Sequence, residues 1–416
     1  MPTNLLNQTW KNFDSTELRL FLNNWIGGPG QYNNPSKNSI VFYLPLAGPS
    51  CKISLSFRHK KIVSIEPGPG FDATEWERIS KETEKSILTE PIKVGREYSF
   101  SSFRVSGSWR GERSGVQILP PANDAPRAPV EMAEHPFVLE FPIKESNFWP
   151  ITNYRRMREH RNLTLLLNVL LIGRTNFYSS RPEHFWGYVP GGDDQYESKW
   201  IQKFFSGKLD KAVVDELSPL AAQKLDEMSP EEYYAKVGHD GKGLRVPLDL
   251  DQSICHYNLL SLLNREKFDR AIFWLDIAGR MWNFSSSASF AALVSAIESL
   301  TERAEVHQVK CPICLKEVKC MVCTKDALHE VPGATRRFKD FLDLYAPGDP
   351  IATRRDEMYR LRSEILHGGE LMQLDQAVAF GWDPLWENER ELLDELWSLT
   401  RIVLRNWLKN PPAIDQ

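Results

Sequence analysis

Alternating apolar and polar positions predict β-strands in the first half of the chain. The segment 52–57 places an apolar side chain at every second position, which is the period of a strand with one buried face. The segment 62–65 is its expected partner, and residues 137–141 alternate in the same way. Residues 72–88 have helical spacing instead, with an aspartate at the start as N-cap. The apolar run 163–172 has neither period, so it predicts either a central strand or a buried helix.

From about Trp200 onward the apolar spacing changes to three and four, which predicts helices. Ser218-Pro219 and Ser229-Pro230 each place a capping hydroxyl before a proline, as at a helix start. Representative buried stripes are Leu259, Leu263 and Ile272, then Leu293, Ile297 and Leu300, then Met358, Leu361 and Ile365, then Leu393, Leu396, Leu399 and Val403. We expect five helices, able to form one bundle, at 251–281, 286–306, 334–345, 351–368 and 387–409.

Composition and charge exclude several classes of protein. The chain has 416 residues, of which 42% are hydrophobic, and its net charge is −4. Disorder along the whole length is therefore excluded. The net charge argues against a protein that coats nucleic acid along its whole surface, and it leaves a local basic pocket open. No apolar run reaches the roughly 20 residues of a transmembrane helix. The N-terminus has no basic region followed by an apolar stretch, so we expect a cytoplasmic protein.

The candidate chemistry lies on the fourth of these helices, in the sequence Arg-Ser-Glu-Ile-Leu-His-Gly-Gly that begins at Arg362. Gly368 and the next glycine predict the end of the helix. His367 then lies at a helix C-terminus, where the dipole favours the imidazolium form. An imidazole can move the protons of a ribose hydroxyl and a leaving oxygen, and the guanidinium of Arg362 can hold a phosphate. The pair suits cleavage of RNA without a metal. A surface arginine beside a capping histidine is the alternative.

Together with a bundle of this size and the upstream sequence Ala-Ile-Glu-Ser-Leu at 296–300, this motif resembles a HEPN domain, most closely the ApeA-like branch. The resemblance covers about residues 250–410. It implies a metal-independent endoribonuclease, often a toxin or antiphage effector, with Arg362 and His367 as the catalytic pair. It also implies a homodimer or higher homo-oligomer, because the active site of the family usually forms where two bundles meet.

The resemblance assigns supporting roles to several other residues. Ser363 occupies a position where many members carry a polar residue. Glu298 matches the acidic residue of the earlier helix, and the family pattern continues with Lys-Arg. Here Glu302 departs from the basic residue, while Arg303 fits. A buried acid that pairs with an arginine is the alternative interpretation of Glu298, and it could hold Arg362 in place while remaining outside the chemistry.

Basic side chains surround the motif and fit an electrostatic footprint for phosphate. Interleaved acids make a charged helix exterior the simpler interpretation. Tyr359 could stack a base or simply pack. The basic residues are Arg336, Arg337, Lys339, Arg354, Arg355 and Arg360.

Two Cys-x2-Cys pairs, Cys311 with Cys314 and Cys320 with Cys323, predict a zinc site. Four thiolates would close the coordination shell, so the metal would be structural. Two alternatives stay open: exchange of one ligand for His307 or His329, and free or redox-active thiols.

The sequence therefore predicts an α+β protein: a β-rich N-terminal region followed by an all-α HEPN helical bundle with a small zinc-knuckle insertion. The predicted units are a sensor domain at 1–200, a helical connection at 201–250, the bundle at 251–410 and the insertion at 307–330. The expected function is an RNA-cleaving antiphage effector without membrane association, regulated by an activating ligand, phage-derived or other, at the N-terminal domain. The alternative is a non-catalytic HEPN scaffold whose zinc knuckle binds RNA or protein.

Overall fold

The computed structural model describes most of the chain. It covers residues 13–26, 31–34, 39–43, 52–58, 61–70, 73–88, 91–122, 135–172, 175–177, 184–190, 196–202, 209, 211–235, 243–282, 284–301, 334–348, 354–376 and 384–413. Helices and strands are mixed in the α+β manner that the sequence predicts. Within these ranges, no helix has both the length and the apolar character needed to cross a membrane.

An antiparallel sheet of four strands forms first, and each strand pairs with the next along the chain. The strands predicted at 52–57 and 62–65 are confirmed as partners, with Leu55 opposite Ile65 and both fully buried. The predicted helix that ends at Leu88 is also confirmed. Apolar side chains of the sheet pack with α1 and α2 in one buried cluster. The elements are α1 (Ser15–Ile26), β1 (Gln31–Asn34), β2 (Ser39–Tyr43), β3 (Lys52–Arg58), β4 (Lys61–Pro67) and α2 (Ala73–Leu88).

The second sheet has six strands in the order β12-β5-β8-β7-β6, with β9 also paired to β5. Helix α3 (Trp149–Leu170) packs on it and contains most of the apolar run 163–172, so this run is a helix. Its leucines are buried on all sides, which explains the lack of period. The strands are β5 (Ile92–Ser101), β6 (Trp109–Arg110), β7 (Gln117–Leu119), β8 (His135–Lys144), β9 (Thr175–Phe177) and β12 (Val213–Val214).

Two buried polar groups connect this sheet to other parts of the chain. Glu140 on β8 is fully buried and accepts hydrogen bonds from the Ser218 hydroxyl at 2.6 Å, the Ser218 N–H at 2.8 Å and Arg96 Nε at 2.8 Å. On the other side of β5, Ser99 Oγ lies 2.7 Å from Nε2 of His160 on α3. Burial, with a smaller contribution from the charge of Arg156, lowers the pKa of His160 to about 3. The imidazole is therefore a neutral part of the core.

The segment 201–250 differs from the predicted helical connection. A hairpin of β10 (His184–Pro190) and β11 (Tyr196–Gln202) reaches into it, and β13 (Asp226–Met228) pairs in parallel with β14 (Arg245–Pro247). Helix α4 (Pro230–Ala235) begins at Ser229-Pro230, as predicted, and the Ser229 hydroxyl accepts from Glu232 N–H. No helix begins at Ser218-Pro219. That prediction is wrong because the hydroxyl and N–H of Ser218 are bonded to Glu140.

The remaining helices follow the predicted order closely. The helix predicted at 251–281 is two helices, because Leu260 and Ser261 are extended and the Ser261 hydroxyl caps the second helix through Asn264 N–H. The helix predicted at 286–306 ends at Glu298, and the short helix α10 was not predicted. The break turns Leu259 and Leu263 out to solvent, whereas Ile272 is buried as predicted. The helices are α5 (Leu250–Leu259), α6 (Leu262–Met281), α7 (Ser286–Glu298), α8 (Ala334–Tyr345), α9 (Arg355–Leu366), α10 (Gln373–Gln376) and α11 (Pro384–Lys409).

A continuous apolar core connects the second sheet to the C-terminal helices. Phe141 on β8, Leu166 on α3, Phe268 on α6 and Trp407 on α11 all belong to one buried cluster. Helix α3 lies between the sheet and α6. Apolar side chains from before and after residue 200 therefore share one buried core. The domain boundaries at residues 200 and 250 stay predictions.

Candidate functional site

Helix α9 carries the predicted catalytic pair, and its apolar stripe and its end are confirmed. Met358 and Leu361 are buried and Ile365 is half-buried against the core. Gly368 has φ +72° and its N–H donates to the Ile365 carbonyl. The next glycine N–H donates to the carbonyl of Glu364 at 2.8 Å, which completes a Schellman motif. The helix therefore ends at Leu366, and His367 follows as its C-cap, exposed to solvent.

Arg362 faces inward from α9 toward the end of α7. Its Nη2 donates a hydrogen bond of 2.5 Å to Oε2 of Glu298, the last residue of α7. The two side chains are 20% and 26% exposed. A carboxylate at a helix C-terminus faces the negative end of the dipole, so the guanidinium offsets a charge that the helix itself disfavours. This is the pairing that the sequence offers as one interpretation of Glu298.

Tyr359 completes this contact from one turn earlier on α9. Its hydroxyl donates to Oε1 of Glu298 at 3.4 Å, and the guanidinium carbon of Arg362 lies 5.8 Å from its ring centroid. Burial and the negative charge of Glu298 raise the pKa of Tyr359, against the opposing charges of Arg362 and Arg337. The ring packs on Phe338 of α8 with centroids 5.2 Å apart and is only 8% exposed. This burial leaves little of the ring for stacking a base and favours the packing interpretation.

His367 stands apart from the Arg362–Glu298 contact. Among the described residues no hydrogen bond joins its ring to Arg362, and its backbone N–H donates to the carbonyl of Ser363 at 3.0 Å. Ser363 is half-buried on the same helix. One chain therefore presents a fixed arginine and, five residues later, an exposed imidazole on the same helix end.

Most of the surrounding basic residues form ion pairs with neighbouring acids. Arg360 contacts Glu364 at 2.9 Å, and Arg354 contacts Glu357 at 3.0 Å. Lys339 pairs with Asp356, Arg355 pairs with Asp343, and Arg336 lies 3.9 Å from Asp340. These pairs match the charged-exterior interpretation of the sequence.

Two parts of the predicted site lie outside the described residues. These are Arg303 and the four predicted zinc ligands, Cys311, Cys314, Cys320 and Cys323. Within the described ranges, no three His, Cys, Asp or Glu side chains come together as a metal site would require. Zinc on the four cysteines stays a prediction.

Two carboxylates that the sequence analysis did not identify hold the segment after His367. Asp375 on α10 accepts from the N–H groups of Ser286 and Ser287 at 2.7 and 2.8 Å, and so caps the start of α7. Glu389 on α11 accepts from the N–H of Gln373 at 3.0 Å and so caps α10. The chain is thereby fixed on both sides of His367, by α9 before it and by α10 after it.

Comparison with known protein families, curated proteins and solved structures finds no match for this chain. The resemblance to HEPN domains therefore stays a prediction from the sequence at 296–303 and 362–368.

Proposed function

We propose that this chain is a metal-independent endoribonuclease of the HEPN type, with Arg362 and His367 as its catalytic residues. The observation that carries the proposal is the placement of Arg362 on α9, where Glu298 of α7 accepts a hydrogen bond of 2.5 Å from its guanidinium. The same helix α9 ends at an exposed His367. A fixed cation and a free imidazole are the two groups that phosphodiester cleavage without a metal requires.

The chemistry follows from these two groups. The imidazole of His367 removes the proton of a ribose 2′-hydroxyl, and the oxygen attacks the adjacent phosphorus. The bond from phosphorus to the 5′ oxygen breaks, and that oxygen takes a proton from the imidazolium of a second copy. The products are a 2′,3′-cyclic phosphate and a 5′-hydroxyl. Arg362 stabilises the negative charge that develops on the phosphate oxygens.

The proposal includes a homodimer, because one chain supplies only one His367. Exposed apolar side chains lie near the imidazole in sequence, since Leu366 is 51% exposed and Leu371 is 49% exposed, and Phe284 near the start of α7 is 79% exposed. Phe284 adjoins Ser285, whose hydroxyl donates to Asp375 in the segment after Leu371. An apolar patch beside an incomplete site is a surface that a second copy would cover.

Growth and RNA analysis test the nuclease proposal. Expression of the wild-type chain is expected to arrest growth and to produce RNA ends with cyclic phosphates, and both effects should vanish with His367→Ala or Arg362→Ala. Arg360→Ala is the matched control, since Arg360 lies on the same helix and pairs with Glu364 on the exterior. If the His367→Ala chain folds and still cleaves RNA, the assignment of the active site is refuted.

A non-catalytic HEPN scaffold that binds RNA or protein is the second candidate function. It is favoured by the same contact, because an arginine bonded to a carboxylate has part of its charge already compensated. The scaffold predicts that purified chain binds RNA and leaves it intact. Equal growth of cells that express the wild-type and the His367→Ala chains would support this candidate over the nuclease.

The proposal extends to zinc on Cys311, Cys314, Cys320 and Cys323 in a structural role, since four thiolates leave no open coordination position. Metal analysis of purified protein is expected to find one zinc per chain, lost with Cys311→Ser. Cys255→Ser is the control, because Cys255 is a half-buried free thiol on α5. Zinc retained in full by Cys311→Ser would contradict this ligand set.

We place the enzyme in the cytoplasm as an antiphage effector whose N-terminal region senses an activating ligand. Because α3 shares its core with α6 and α11, truncation near residue 200 is expected to unfold the helices rather than release them. The regulation is better tested on the full chain, by measuring RNA cleavage before and after addition of extract from phage-infected cells. Equal cleavage with extract from uninfected cells would argue against a sensor for a phage component.

A further inference from the structure

Arg337 on α8 differs from the other basic residues near the site. On α8 and α9 the side chains of Arg336, Lys339, Arg355 and Arg360 each contact an acid. For Arg337 the described residues supply no hydrogen bond and no ion pair, and its Nε is buried without a partner among them. The side chain is half-buried, so its charge is partly removed from water as well.

Arg337 lies on α8 beside the contact that Arg362 makes. The adjacent residue, Phe338, packs on Tyr359 with ring centroids 5.2 Å apart, and Tyr359 is bonded to Glu298. The guanidinium carbon of Arg362 lies 5.8 Å from the same tyrosine ring. The charge of Arg337 also acts on the Tyr359 hydroxyl. Arg362 thus lies beside this buried tyrosine, and Arg337 is next in sequence to the phenylalanine that packs on the same ring.

The charges of this cluster do not balance. Glu298 is the acid that contacts Arg362, and Arg337 adds a second positive charge without an acid of its own among the described residues. A charge that is removed from water without a partner is costly. An anion bound beside the Arg337 guanidinium would remove that cost. Guanidinium groups match phosphate oxygens through paired N–H donors.

We propose that Arg337 binds a second phosphate of the RNA chain, next to the phosphodiester that Arg362 and His367 engage. This inference rests on the proposed function and narrows its substrate to RNA with at least two consecutive phosphodiesters. Arg337 is then a binding residue, and it touches no atom of the reacting phosphate. A dinucleotide with a single phosphodiester has nothing for Arg337 to bind.

Binding is tested first, in the His367→Ala background, so that cleavage is not needed. The probe is a fluorescein-labelled single-stranded RNA oligonucleotide, measured by fluorescence anisotropy at several salt concentrations. Arg337→Gln is expected to weaken binding roughly tenfold at low salt, and to reduce the slope of log K against log salt by about 0.7, the value for one phosphate of a single strand. Arg336→Gln is the matched control, an exposed neighbour on the same helix, and should change the slope by much less.

Cleavage gives the second readout, in the chain with native His367. Arg337→Gln should raise KM for the oligonucleotide by a much larger factor than KM for the dinucleotide UpA, which has no second phosphate. Arg337→Lys should restore part of the oligonucleotide affinity, because it restores the charge. A merely structural role would instead lower both activities together, along with the melting temperature.

Two outcomes distinguish a failure of the second phosphate site from a failure of the proposed nuclease function. If Arg337→Gln binds the oligonucleotide with the same affinity and salt slope as Arg336→Gln, the second phosphate site is overturned, whatever the nuclease result. If the wild-type chain binds RNA through Arg337 and cleaves none, the nuclease is refuted and the phosphate site stands.

Discussion

Arg362 donates a hydrogen bond of 2.5 Å to Glu298, across the packing of α9 on α7. The bond joins residues 64 positions apart in sequence, and both side chains are more than two-thirds buried. Because Glu298 also accepts from Tyr359, the carboxylate determines the position of the predicted catalytic arginine.

Glu298→Gln is expected to lower the free energy of unfolding by about 2 kcal/mol, the usual contribution of a partly buried hydrogen bond to a charged group. Urea denaturation measures it. Glu364→Gln is the control, since its ion pair with Arg360 is on the exterior of the same helix and should contribute less than about 1 kcal/mol. Under the proposed function Glu298→Gln also slows RNA cleavage. Equal, small changes in both variants would show that the contact contributes little.

Asp375→Ala should destabilise the start of α7 by about 1 kcal/mol, because it removes the acceptor for two helical N–H groups. Although burial acts to raise it, hydrogen bonds from Ser287, Ser285 and Ser286 hold the pKa of Asp375 below its ordinary value. This stabilisation is therefore present above the ordinary pKa and is lost as pH falls through the lower folded value.

Thermal denaturation at neutral and acidic pH measures the effect of Asp375→Ala. Glu370→Ala is the control, an exposed acid in the same segment. The variant and the wild type should converge in stability at the acidic end, where Asp375 is protonated in both states of the wild type. A constant difference across the pH range would mean that the cap does not depend on the charge.

Periodic apolar positions predicted the helices well where one face is buried. Helix α8 runs from Ala334 to Tyr345 with the predicted bounds. Helix α6 was missed as a separate element because apolar spacing continues through the break at Ser261. Leu259 and Leu263 have the spacing of a buried helical stripe, yet their side chains are 81% and 50% exposed. A serine that caps a helix inside a continuous apolar pattern is a weak signal, and a prediction based on apolar periodicity alone overlooks it.

The site shows the same limit. The pairing of Glu298 with Arg362 was one of the interpretations that the sequence offered, and the structure contains it. The catalytic roles of Arg362 and His367 stay predictions. Asp375 could not be assigned to α7, since its partners lie 88 to 90 residues earlier. Contacts of that separation depend on the packing of whole helices, and a single sequence carries no local trace of them.

Glu140→Gln is expected to destabilise the fold by about 3 kcal/mol, because it removes a fully buried charge whose partners include Arg96. The loss of structure should be greatest around Ser218, because both its N–H and its hydroxyl donate hydrogen bonds to this carboxylate. Hydrogen exchange of residues 211–225 should therefore accelerate. Glu216→Gln is the control, because Glu216 is exposed in the same segment, and it should leave hydrogen exchange unchanged. Exchange as slow in Glu140→Gln as in the wild type would mean that other contacts hold the segment.

His160 predicts a specific loss of stability in acid. Its pKa is about 3 in the folded chain and about 6.5 when unfolded, so the unfolded chain binds more protons between these values. Stability is therefore complete above about pH 6.5 and falls by up to about 1.4 kcal/mol per pH unit as pH decreases toward 3. Other groups titrate in the same window, so the informative quantity is the difference between variants.

His160→Gln keeps an acceptor for the Ser99 hydroxyl, 2.7 Å away in the wild type, and cannot titrate. Its free energy of unfolding, measured in urea from pH 7 to pH 4, should fall less steeply than that of the wild type. His135→Gln is the control, because His135 is exposed at the start of β8, and it should retain the wild-type slope. Parallel curves for the wild type and His160→Gln would show that the buried imidazole does not stay neutral in the folded chain.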